Sequence, residues 1–188
     1  MVSLSRRSMV AGLAVVLVIA GGLVWWFGSF RARPWVPTCT DIAPSLRAEL
    51  GGVWTVTDPD KGREKGKYQS SSLCTISFIT ADQKYTGTLD LFTVVALDQD
   101  AGRDDVAQAQ CGATDQHVPV PPDYAAFRVC VQTTSLWTRV TTWAAANERW
   151  GSSAVQINLR DDEQGAVAYA NDLSRLAMEK ALTMSEPE

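Results

Sequence analysis

Residues 9–27 read MVAGLAVVLVIAGGLVWWF, a run from Met9 to Phe27 with no charge and no strongly polar side chain. At about 1.5 Å rise per residue, a helix of this length spans roughly 28 Å, close to the hydrocarbon thickness of a bilayer. Branched residues from Val15 to Ile19 fill its middle, so a helix here satisfies its own backbone while lipid meets only carbon. Trp25, Trp26 and Phe27 close the run, as amphipathic rings do at the headgroup layer. A buried core helix would keep a polar face, and this stretch has none.

A cleavable secretory signal is the competing reading. Arg6 and Arg7 supply its basic leader. The apolar run, however, exceeds the about 7–15 residues of a signal, and it ends in Trp-Trp-Phe where a small-x-small cleavage site belongs. Cleavage at Ala20-Gly21-Gly22 would leave apolar Leu23–Phe27 at a new N-terminus. A lipoprotein signal needs a cysteine directly after the run, and the first cysteine is Cys39. The expectation is an uncleaved single-pass transmembrane helix over 9–27, with 1–8 as a cytoplasmic tail. Arg6, Arg7 and the terminal amine on one side against Arg31 and Arg33 on the other give a weak positive-inside asymmetry. It places the N-terminus inside and the following domain outside the cell membrane.

Outward from that run, residues 28–40 form a short spacer. Pro34 and Pro37 favour extended backbone there, so the domain is expected close to the bilayer. Residues 41–184 make one domain and 185–188 a tail. Beyond residue 33 the chain carries thirteen basic and twenty-one acidic residues, a net charge of −8. Such a domain is a poor nucleic-acid binder, because phosphate contacts need a basic surface.

Periodicity within the domain predicts a helix over Asp41–Leu50, capped by Thr40 or Asp41, with Pro44 in its first turn and Gly51-Gly52 as the stop. Strands are expected at Val53–Thr57, Leu73–Thr80 and Thr86–Leu97, with a polar loop at Asp58–Gly66 and a further break at Ser70-Ser71-Ser72. A short helix follows over Asp98–Gln110, then an irregular stretch from Gly112 to Asp123. Strands are expected again at Ala126–Thr133, Leu136–Ala146 and Ala154–Arg160, the last two turning at Asn147–Ser153. A closing amphipathic helix spans Gly165–Leu182, with Ala166, Tyr169, Ala170, Leu173, Leu176, Ala177 and Ala181 on one stripe. The fold class is α+β: an N-terminal transmembrane helix, then one domain with a mainly antiparallel sheet and flanking helices.

Four cysteines, Cys39, Cys74, Cys111 and Cys130, all lie beyond the apolar run. None forms the close-spaced pair that structural zinc prefers, so no metal site is expected. In an exported domain an even count reads as disulfides. Three pairings exist; Cys39–Cys74 with Cys111–Cys130 is favoured, because each joins a helix-flanking position to a nearby strand. One tension accompanies it. Cys130 alternates with Phe127, Val129 and Val131, so it points away from the core face and needs a cover, which Gly112–Asp123 could supply.

No catalytic residue is assigned. The chain's one histidine, His117, sits in a Pro-rich loop, and neither a Gly-x-Ser-x-Gly elbow, a Ser-x-x-Lys pair nor His-Glu-x-x-His is present. No cofactor motif is found: Gly62–Lys67 has too few residues for a phosphate loop and precedes no helix. Its Lys61, Arg63, Lys65 and Lys67 form a basic patch able to touch anionic headgroups or wall polymers. The loops at Asp58 and Asp98 echo calcium sites but lack the closing glutamate. Trp137 and Trp143, six residues apart, share a strand face; with Trp54 and Trp150 they read first as packing residues and second as surface contacts.

Three segments together resemble small, uncharacterised envelope proteins of actinobacteria: Cys39-Thr40-Asp41-Ile42-Ala43-Pro44, Ser72-Leu73-Cys74-Thr75-Ile76 and the helix Ala166–Leu182. The resemblance implies an exported location and a Cys39–Cys74 bond, and it brings no activity. The functional expectation is a non-enzymatic, membrane-tethered binding or interaction domain of the cell envelope. Its expected partners are the bilayer through 9–27 and an envelope protein or wall polymer. The alternative is an envelope hydrolase with its site dispersed over loops.

Overall fold

In the computed structural model, residues 34–59, 68–96, 99–111, 114–116, 118–146, 148–159 and 162–187 are described. The prolines of the spacer give way to helix α1 (Cys39–Leu50). Thr38 is its N-cap, and the Asp41 carboxylate accepts from the Thr38 N–H at 2.8 Å, the reciprocal arm of a capping box. Asp41 thus acts from the third helical position and not as the cap, which moves Pro44 out of the first turn. Ile42 and Leu46 are fully buried. Gly51 and Gly52, at φ 65 and 79, end the helix in a backbone region that side chains disfavour. A Cβ on Gly52 would also run into the Ile79 carbonyl oxygen.

Seven strands are described: β1 (Val53–Asp58), β2 (Tyr68–Ile79), β3 (Thr86–Ala96), β4 (Thr114–Gln116), β5 (Ala126–Thr133), β6 (Trp137–Ala146) and β7 (Arg149–Asn158). They form one antiparallel sheet in the order β1-β2-β3-β7-β6-β5-β4. Two meanders, β1–β3 and β4–β7, therefore join edge to edge where β3 pairs with β7. Helix α2 (Gln99–Gln108) lies between the meanders in sequence, and helix α3 (Glu163–Thr183) follows the second.

Three local expectations change. Ser70-Ser71-Ser72 belongs to β2 and not to a loop, and Ser72 is buried. Residues 114–116, expected to be irregular, pair with β5 as a short edge strand. Residues 149–153, expected in a turn, belong to β7. Gly151 misleads there: it faces Thr93 across the ladder, and a Cβ on it would run into the Phe92 carbonyl oxygen. It is a close-approach glycine of a strand, not a turn glycine.

The fold class itself needs correction. No helix among the described residues is long and apolar enough to cross a membrane. The architecture they form is an antiparallel sheet with three helices. Helix α3 has 21 residues, a spanning length, but Glu163, Asp172, Arg175, Glu179 and Lys180 punctuate it and only one stripe is apolar. The anchor expected over 9–27 lies outside the described residues.

One face of the sheet carries the main core, with Ile76, Leu89, Val129, Val140, Val155 and Ile157 fully buried. Helices α1 and α3 cover it. Helix α3 approaches closely because Ala166, Ala170, Ala177 and Ala181 form its inner stripe. At its centre the fully buried Thr142 and Ser174 hydroxyls meet at 2.7 Å, and the Ser153 hydroxyl donates to the Ser174 carbonyl. These buried polar groups satisfy one another and fix where the helix sits along the strands.

Both ends of α3 are pinned. At its start the Asp162 carboxylate accepts from the Gly165 N–H at 2.9 Å and the Tyr85 hydroxyl at 2.9 Å, and pairs with Lys84 at 2.7 Å. The Lys84 ammonium first, then these hydrogen bonds, hold the Asp162 carboxyl down to about 2. At its end the Arg149 guanidinium donates to the carbonyls of Met184 at 2.6 Å and Leu182 at 3.4 Å. Arg149 also donates to the Trp35 carbonyl at 3.3 Å and stacks on the Trp35 ring. Burial pushes the Arg149 guanidinium below its ordinary value.

Candidate binding groove

The two cysteine pairs are Cys39–Cys74 and Cys111–Cys130, with Cα atoms 5.9 and 5.4 Å apart, within the range a disulfide bridges. The first ties α1 to β2 inside the main core. The second ties the segment after α2 to β5 on the opposite face of the sheet. Cover for that face of β5 comes in part from α2 and the residues after it; part of the expected cover, residues 112, 113 and 117, lies outside the described residues. Arg128 on the same face donates to the carbonyls of Ala107 and Ala109, which anchors that segment over β5. Helix α2 buries a second, smaller cluster of Val94, Val106, Ala126, Ala145 and Trp150.

The cover stops half-way along the strands. Beyond it lies a groove of about 470 Å³ on the open half of the sheet, with the Cys111–Cys130 bond along one wall. Its floor is built from the period of the strands. On β7, Ala154 stands between Asp90 of β3 and Thr141 of β6. Because Ala154 is small, the side chains of Asp90 and Arg139 meet over the intervening strand, Oδ2 to Nη2 at 3.2 Å. The Thr75 hydroxyl donates to the other carboxylate oxygen at 2.9 Å. The Arg139 side chain makes no other hydrogen bond among the described residues, and it lines the groove, so guanidinium donors remain for a ligand.

Phe92 and Trp143 flank Ser152 at the covered end, paired to it from opposite sides. Both rings are half-buried, packed at their inner edges against the small cluster. Gln132, facing Arg139 from β5, lines the outer side. The site is thus an aromatic end, a hydroxyl- and amide-lined side and a mutually neutralised charge pair at the centre.

Trp137 and Trp143 lie on one strand face as expected, with Arg139 and Thr141 between them; only Trp143 lines the groove. Trp54 and Trp150 are core residues: Trp54 stacks on Phe78 at 5.2 Å on the other face, and Trp150 meets Phe92 edge-on at 5.5 Å. Lys61, Arg63, Lys65, Lys67 and His117 lie outside the described residues. Among the described residues no group of three or more His, Cys, Asp or Glu is placed to hold a metal ion. Asp90 and Arg139, the centre of the groove, carried only a faint signal in the sequence: each is a lone charge in the polar phase of an apolar strand. Compared with known proteins, the chain matches no family model, no curated protein and no solved structure.

Proposed function

We propose that this domain is a binding module of an oxidising, extracytoplasmic compartment such as the bacterial cell envelope, and that its ligand occupies the groove on the open half of the sheet. Two disulfides support the compartment, since such bonds persist where thiols are not kept reduced. The observation that carries the binding role is the groove itself. It is a concave site of ligand size whose central charges, Asp90 and Arg139, are already paired. Groups so paired can orient a ligand by charge-assisted hydrogen bonds.

Ligand-observed NMR with a fragment library and the full chain tests this. Ala154→Phe, which fills the floor of the groove, serves as the control. Fragments that bind the native chain and are lost from Ala154→Phe are expected. No binding fragments, or a set that survives the plugged groove, overturns the proposal.

A further inference from the structure

The geometry points to a neutral, multiply hydroxylated ligand, one or two sugar rings, as the occupant of the groove. This rests on the binding reading above and narrows it to a ligand class.

Charge excludes much. Among the described residues, Asp58, Asp90 and Arg139 are the charged residues lining the groove, with Asp90 and Arg139 paired at its centre. An anion drawn to Arg139 comes into contact distance of Asp90, only 3.2 Å from the guanidinium. A cation drawn to Asp90 meets Arg139 in the same way. Either gives back much of what it gains. A neutral ligand avoids both conflicts, and a hydroxyl is at once donor and acceptor. Neighbouring ring hydroxyls can therefore donate to Asp90 and accept from Arg139 together, and bonds to charged groups are the strong ones.

Backbone geometry excludes another class. An extended peptide that docks by strand addition needs a free sheet edge. This groove lies on the sheet's face, over β3, β7 and β6, whose backbone groups are spent on neighbouring strands on both sides. Recognition here runs through side chains alone. Phe92 and Trp143 offer ring surface to the C–H face of a sugar, while Thr141, Ser152 and Gln132 offer donors and acceptors to its rim. The volume of about 470 Å³ falls in the range of small-molecule sites.

The test titrates the full chain with cellobiose, with N,N′-diacetylchitobiose and with a neutral capped trialanine peptide. Tryptophan fluorescence and backbone amide shifts are the readouts. Saturable binding of a disaccharide is expected, with shifts on β3, β6 and β7. Arg139→Met removes a charge-assisted bond and should weaken binding about tenfold or more. Gln132→Ala, on the exposed rim, should weaken it less and leave folding intact. Affinity should change little between about 50 and 500 mM salt, since no net ligand charge is screened. Binding of the peptide but neither disaccharide, or disaccharide binding that collapses with salt or ignores both substitutions, overturns the sugar assignment and leaves the binding module standing. Failure of all three probes, together with an empty fragment screen, removes both.

Discussion

The two faces of the sheet carry the same alternating pattern and are finished differently. On the face beneath α1 and α3, apolar positions continue along the strands: Ile76 and Phe78, Leu89 and Leu91, Val155 and Ile157 are all buried. On the other face the supply stops half-way along. Along β3 the outward series runs Val94, Phe92, Asp90, Thr88; along β6 it runs Ala145, Trp143, Thr141, Arg139; along β7 it runs Trp150, Ser152, Ala154, Gln156. Strands β3 and β6 change from apolar to polar at the same height, after Phe92 and Trp143, while β7 between them places Ser152 one level earlier and small Ala154 beneath it; that line is both the limit of α2 and the wall of the groove. The larger apolar core thus lies on one face, and the other face carries the groove proposed as the binding site.

The disulfides test this division most severely, since one serves each face. By chain entropy alone, replacing both cysteines of the 35-residue loop with serine costs about 4 kcal/mol, and of the 19-residue loop about 3 kcal/mol. The two figures differ by only about 0.5 kcal/mol before rounding, but the Cys39 and Cys74 pair also sits within the main core, so the gap in unfolding free energy from urea titration should exceed that difference. Equal losses, or a larger one for Cys111 with Cys130, would break the comparison.

Single side chains sharpen it. Leu173→Ala removes a buried anchor of α3 and should cost about 3 kcal/mol in denaturant unfolding, as large-to-small core changes do. Thr88→Ala on the open half should stay within about 0.5 kcal/mol. A comparable loss at Thr88 would mean that the open face is structural too.

The smallest effect is expected in pH. The carboxyl of Asp162 is held at about 2, below its ordinary 3.8, so its charged form favours the folded state. That contribution is complete above about pH 4 and is lost as pH falls through about 2. The difference in Tm between the native chain and Asp162→Asn should therefore shrink across that window. A difference independent of pH would show that the carboxylate charge is not what pins α3.

Much of this arrangement is legible in the sequence. Alternation at Cys74, Ile76 and Phe78, or at Val155 and Ile157, located strands, and the stripe from Ala166 to Ala181 located α3. Glycine and serine carry turn signals that the strands override: Gly151 sits where two strands approach closely, and in Ser70-Ser71-Ser72 the last serine is buried within β2. The groove was illegible for a different reason. Asp90 and Arg139 are 49 residues apart and belong to strands separated by β7, so only the sheet order brings them together. Pairing register is a long-range choice that no local pattern records. The cysteine pairing was accessible because few alternatives compete; the apolar run at 9–27 fell outside what the described fold accounts for.

Arg149 draws Trp35 and Met184 to one point, which fastens the stretch before α1 to the stretch after α3. The stretch entering at residue 34 and the stretch leaving near residue 186 meet at one guanidinium and the ring stacked against it. A single guanidinium thus closes the chain's entry and exit against each other, and Arg149→Met is the change that would separate them.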